Sequence, residues 1–230
     1  MTRTSTGLVV AIAVLLLTPA ALGTAASGQS EQVREIDNCG VISEPGRYVL
    51  TTDITNGGGG DHFTYSSQSC IVVESDDVHI EGNGHRVDAL GNSDTTGVAV
   101  VGNEVDPIEN VTVSNVTFTD WNRAVYFRHV ENGTVRESAL RASAYGMSIE
   151  HSEGTRVVDS MVVNNLLGIY ENDNTGTELT DLRYASNYAG DHVTENETDA
   201  GAAEETPTAT PTATPTPTPT PTPTEEEDDY

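Results

Sequence analysis

The 230-residue chain carries 36 acidic and 10 basic side chains, a formal net charge of −26. All ten bases are arginine, and with no basic patch to neutralise phosphates, nucleic acid is excluded as a partner. Seven of the acids lie at or beyond Glu204, so the remaining chain is itself strongly acidic. Self-repulsion at this density destabilises a compact state in dilute buffer. At 1 M salt a Debye length of about 3 Å screens most of it. The balance predicts a salt-adapted protein, of the kind halophilic archaea make, with a cation-binding surface as the competing or additional reading.

The chain opens MTRTSTGLVVAIAVLLLTPAALGTAAS. One early positive charge, an apolar run from Leu8 to Leu17 and small residues around Ala25 predict a secretory signal peptide over residues 1–26. The run is short for a membrane span, which needs about 20 residues. Export to the extracellular space or cell surface follows, with no transmembrane anchor left after signal removal. An uncleaved anchor is the alternative.

Residues 31–69, with CGVISEPGRYVLTTDI at their centre, predict an N-terminal cap and first strand. The two cysteines, Cys39 and Cys70, suggest a disulfide in an exported chain. They lack the C-x-x-C spacing of a metal knuckle. Free thiols are the other reading. The bond would fasten the cap to the first full coil.

From residue 70 to 193 the chain repeats itself. Val113, Val135, Val157 and Leu179 are each 22 residues apart, as are Phe118, Leu140, Val162 and Tyr184, and as are Val125, Met147 and Ile169. Ala124, Gly146, Gly168 and Gly190 form a small-residue column, and Asn110, Asn132, Gly154 and Gly176 a turn column. Ile71, Val98 and Val125 extend the pattern upstream at a spacing of 27. A fixed period of this size signals a solenoid. The segments between turns are short, rich in valine and threonine and alternate in period two, which are strand signals. The fold predicted is all-β: a single-stranded right-handed parallel β-helix of about five or six coils, with like residues stacking about 4.8 Å apart. Residues 194–230 follow as an acidic Thr/Pro-rich tail. Its tract from Thr206 to Thr224 favours extended polyproline II of roughly 60 Å and reads as an O-glycosylated stalk.

CGVISEPGRYVLTTDI, CIVVESDDVHIEGNGHRV and coils such as GMSIEHSEGTRVVDS resemble the exported β-helix proteins of halophilic archaea, with NosD-like and pectate-lyase-like repeats. The resemblance covers roughly Cys39 to Val193. It implies the fold, and two chemistries: handling of copper, from the NosD side, and cleavage or epimerisation of acidic polysaccharide, from the lyase side. Family members with Thr-Pro stalks often continue into a hydrophobic anchor. This chain stops at EEEDDY, which predicts release into the medium or an incomplete gene product.

The lyase chemistry needs a basic proton abstractor beside Ca²⁺-binding carboxylates. Lysine is absent and no arginine sits in a matching motif. Hydrolysis needs two carboxylates about 5–9.5 Å apart. Asp76 and Asp77 are the tight pair within the repeats, and an exposed turn explains them as well. His85 in GNGH has a catalytic reading and a tight-turn reading, and the turn is preferred. No catalytic residue is therefore assigned.

A metal reading rests on another column. His129 and His151 are 22 apart, Asp173 and Glu195 continue the series, and Glu131 and Glu153 run beside it. Histidine and carboxylate on adjacent coils suit Cu²⁺ or Zn²⁺, and carboxylates alone suit Ca²⁺. Solvated turn residues are the plain alternative. Four N-x-[ST] motifs, at Asn110, Asn115, Asn132 and Asn196, are glycosylation candidates, Asn196 foremost. Trp121 and Tyr126 read either as a sugar-stacking platform or, for Trp121, as the closure of a hydrophobic corner. Together these features predict a non-enzymatic secreted or surface module for glycan, envelope or protein interaction. A polysaccharide-active enzyme and NosD-like copper or zinc handling are the alternatives.

Overall fold

A computed structural model describes residues 33–55, 68–91 and 93–195. The predicted signal peptide (residues 1–26), Gly57–Gly60, Asn196 and the Thr/Pro tract lie outside these described residues. Within them every regular element is a strand, and every strand pairing is parallel.

One coil shows how the repeat is built. Strand β11 (Arg123–Arg128) leads through His129 into β12 (Val130–Glu131), then β13 (Thr134–Arg136), β14 (Ala139–Arg141) and β15 (Tyr145–Glu150), which stacks on β11. Three sheets result. The first runs through β13, the second through β14 and the third through β11 and β15. The first and third have seven rungs and the second has five. A short fourth ladder starts with β8 (Ile108–Glu109) and β12 and continues as single bridges through Glu153 and Thr175. The chain is a parallel β-helix.

Four residues per coil turn the corners, and all of them take the left-handed conformation. Asn110, Asn132, Gly154 and Gly176 form one such column, with φ between 55° and 67°. His129, His151 and Asp173 form a second, at 49°, 49° and 53°. Asn115, Glu137, Asp159 and Asp181 form a third, and Asp120, Ala142, Asn164 and Ser186 a fourth. Asn, Asp and His tolerate this region better than most side chains. The polar residues between the valine-rich strands are therefore the joints of the coil.

The ladders stack as the spacing requires. Val113, Val135, Val157 and Leu179 are in register, as are Phe118, Leu140, Val162 and Tyr184, and Val125, Met147 and Ile169. All but Leu179 and Tyr184 are fully buried. Ile71 and Val98 extend the third ladder upstream. Cys39 and Cys70 are disulfide-bonded, Cα–Cα 4.5 Å, immediately before the paired residues Gly40 and Ile71. The bond joins the first two rungs of the third sheet.

Two column assignments fail at the last coil. Gly190 pairs with Leu167, not Gly168, and Glu195 pairs with Asn172, not Asp173. Up to Ala189, whose N–H donates to Leu166, the 22-residue step holds. One extra residue at Ala189–Gly190 then shifts β21 (Gly190–Glu195) by one position.

Candidate functional site

The corner between the third and first sheets carries the histidine column. Each of His129, His151 and Asp173 directly follows a six-residue strand of the third sheet and turns the chain through a left-handed φ. Backbone bonds lock the stack: His129 N–H donates to Glu150 O at 3.1 Å and His151 N–H to Asn172 O at 2.9 Å. The next residue in each coil points inward and ties coil to coil. Val130 N–H donates to Ser152 Oγ at 3.1 Å, and Ser152 N–H donates to Asn174 Oδ1 at 2.9 Å. With the residue after it fixed inside, the corner residue itself faces out.

The two imidazoles lie 5.1 Å apart, centroid to centroid, with planes 13° from parallel. His151 Nδ1 is 3.3 Å from Asp173 Oδ2. Glu131 and Glu153 sit in register on the fourth ladder. With Glu104 from the loop before β8, these side chains line an open groove of about 320 Å³. The structure thus gathers all five proposed metal residues around one groove. Glu195 does not join them. Its carboxylate accepts a bond from Tyr170 Oη at 2.8 Å on the outer face of the third sheet.

Four carboxylates and two imidazoles make the groove a cation-attracting surface. Burial pushes the His129 imidazole below its ordinary pKa, helped by the neighbouring His151 and by Arg128, while Glu104 and Glu150 oppose. His129 is therefore a neutral donor over more of the pH range than a free histidine. The donor set suits a borderline cation such as Cu²⁺ or Zn²⁺. The resting side chains do not converge on one point. Near-parallel rings send their in-plane lone pairs side by side, and no group of three or more His, Cys, Asp or Glu among the described residues is arranged to hold an ion. Donor chemistry fits; closure on a metal would require an imidazole to turn.

The other candidates are structural. Asp76 Oδ1 accepts Glu109 N–H at 2.8 Å, and Asp77, with φ of 54°, accepts Asn110 Nδ2–H at 3.0 Å. They secure a corner, as the turn reading had it. His85 follows the left-handed pair Asn83–Gly84, and its Nδ1 is 3.0 Å from Asp53 Oδ1. Asp53 also accepts Arg86 N–H, and that bond, followed by the one to His85, holds its carboxyl below the usual range. The sugar platform of Trp121 and Tyr126 is overturned. Trp121 is 2% exposed, its Nε1–H donating to Val87 O at 3.0 Å inside the core, so it closes a corner. Tyr126 is 1% exposed, with its hydroxyl donating to Glu150 Oε2. Of the sequons, Asn110 and Asn115 spend their amide hydrogens on Asp77 and Glu81, while Asn132 is exposed.

The inward Ser/Asn ladder is the feature that sequence reasoning missed. Ser143 N–H donates to Asn165 Oδ1, and Asn165 N–H to Asn187 Oδ1, each at 3.0 Å across one coil. Ser138 N–H donates to Ser160 Oγ at the next corner. A signal existed: a small polar residue directly follows the corner residue in coil after coil.

Comparison with curated proteins gives no match. Among solved structures, a provisionally assigned glycosyl hydrolase from Parabacteroides merdae is similar at 14% identity, with a TM-score of 0.44, over 68% of this chain and 82% of that one. A family model described as periplasmic copper-binding protein (NosD) matches residues 28–201, three quarters of the sequence. The chain belongs to the NosD family.

Proposed function

We propose that this chain is an exported, non-enzymatic β-helix module that takes up a copper-class cation reversibly at the His129–His151–Asp173 corner. The observation that carries the reading is the stacked histidine pair 5.1 Å apart at the head of an acidic groove. The family, described as periplasmic and copper-binding, supports both the export and the metal. A bound copper ion would supply a redox-active or Lewis-acid centre; the chain's own residues supply donors and field. His129 and His151 are the nitrogen donors. Asp173 orients His151 through the 3.3 Å contact, fixing which ring nitrogen stays free. Glu104, Glu131 and Glu153 raise the local cation concentration. An open groove and donors that must turn before closing suit exchange more than permanent storage.

The test is metal content and titration calorimetry of the purified full chain in molar salt. Wild type is expected to bind one Cu²⁺, and His129→Ala/His151→Ala to lose it while keeping its β-sheet circular dichroism. Absence of binding in wild type, or equal binding in the folded double variant, removes the site.

A further inference from the structure

The outer face of the third sheet carries an aromatic surface that the metal groove does not use. Tyr145 and Tyr170 meet edge to face at 5.8 Å. The Arg123 guanidinium lies 5.0 Å from the Tyr126 ring centre and 5.8 Å from that of Tyr145. Among the described residues Arg123 forms no ion pair, and its Nε is buried without a hydrogen-bond partner. At the entry to these strands Leu166 is 50% exposed and Tyr188, one coil on, is 90% exposed. Tyr145 and Tyr170 are half-buried and Tyr188 is exposed, and tyrosines reaching solvent are a binding signature, since each offers a flat apolar plate with a polar tip.

The charges bordering the tyrosines say what they receive. Arg123 and Arg128 are matched by Glu150, which accepts Tyr126 Oη–H at 2.8 Å, and Glu195, which accepts Tyr170 Oη–H at 2.8 Å. Two charges of each sign leave this face locally neutral on a molecule of net charge −26. A cation is better served at the groove, and a polyanion is repelled by the whole chain. A neutral ligand with apolar faces and many hydroxyls fits: rings lie on Tyr145, Tyr170 and Tyr188, hydroxyls donate to the two carboxylates, and the Arg123 N–H edge donates to a sugar oxygen. We infer that the Tyr145–Tyr170–Arg123 face binds a neutral pyranose glycan. The inference stands independently of the copper reading.

Titration calorimetry of the full chain in molar salt tests it, with cellohexaose, maltohexaose and mannohexaose as neutral probes and a galacturonate hexamer as the charged one. At least one neutral hexaose is expected to bind. Tyr145→Ala and Tyr170→Ala are each expected to weaken it about tenfold or more, whereas Tyr170→Phe keeps the plate and most of the affinity. Tyr188→Ala, at a solvent-facing residue, alters affinity without endangering the fold. No hexaose binding at millimolar concentration, binding of the galacturonate alone, or affinity unchanged in Tyr188→Ala and in both plate variants overturns the assignment. Metal uptake by the histidine groove should be the same in all these variants, which separates the two sites.

Discussion

The middle coils and the last coil obey one plan with different contents. At the inward positions of the third sheet the middle coils place Val125, Met147 and Ile169 in one column and Phe127 and Ile149 in the next, all fully buried. The last coil continues these columns with His192 and Thr194, both exposed, and the coil before it puts Glu171 beneath Ile149. His192 Nε2 is 2.7 Å from Glu171 Oε1. An inward side chain is dry only when a rung covers it on both sides. Where the described rungs stop, an apolar residue would face water, and a hydrogen-bonded polar pair stands there instead. An inward position in a solenoid is thus a promise of burial that the neighbouring coil has to fulfil.

The sharpest way to break this comparison is to truncate the same ladder at two heights. Phe118→Ala in the middle should destabilise by about 3–5 kcal/mol, because a filled core cannot close over the void. Tyr184→Ala, three rungs further along the column, should cost only about 1–2 kcal/mol, since that ring is half-buried. Urea melts of both variants would decide. Equal losses would mean that the last coil is as well covered as the middle. The opposite end has its own fastening: Cys39→Ala/Cys70→Ala opens a 31-residue loop and should cost roughly 3–4 kcal/mol by the chain-entropy account.

What could be read from the residues follows from the same physics. An inward ladder repeats one chemical type at one spacing, so Val113 to Leu179 and Phe118 to Tyr184 announced both the coil length and the stacking. Corners were harder. At a left-handed residue the period-two alternation breaks, so the direction of His129 does not follow from its neighbours along the strand. Sequence placed His129 over His151 correctly but not the near-parallel ring planes that keep the donors apart. Single insertions defeat column counting altogether: the residue added at Ala189–Gly190 moved Gly190 and Glu195 out of their columns. Trp121 and Tyr126 misled because an aromatic residue at a corner or outer strand position is buried or open according to what packs over it, which no local pattern encodes.

Corner ladders offer a finer test. Asn165 accepts Ser143 N–H and donates to Leu140 O and Asn187 Oδ1. Asn165→Ala strands these buried groups and should cost about 1–3 kcal/mol. Asn187→Ala should cost less, about 1 kcal/mol, because water reaches that half-buried corner. A larger loss at Asn187 would mean that the final corner, not the middle one, holds the coils in line.

The smallest expected effect is one of pH at the histidine corner. The folded-state pKa of His129 lies below its unfolded value of about 6.5, with burial the leading cause. The unfolded chain therefore takes up this proton first as the solution is acidified. The contribution of His129 is complete above about pH 6.5 and is lost as pH falls through the lower folded-state value. His129→Asn keeps a residue suited to φ of 49° and removes the titration. Urea midpoints measured from pH 7.5 down to 5 should fall less steeply in that variant than in wild type, with the two proteins closest at the alkaline end. Parallel curves would show that the imidazole is as well solvated at this corner as in the unfolded chain. They would also remove the reason for His129 to stay a neutral donor below the ordinary histidine pKa, leaving the acidic rim of the groove to do the selecting.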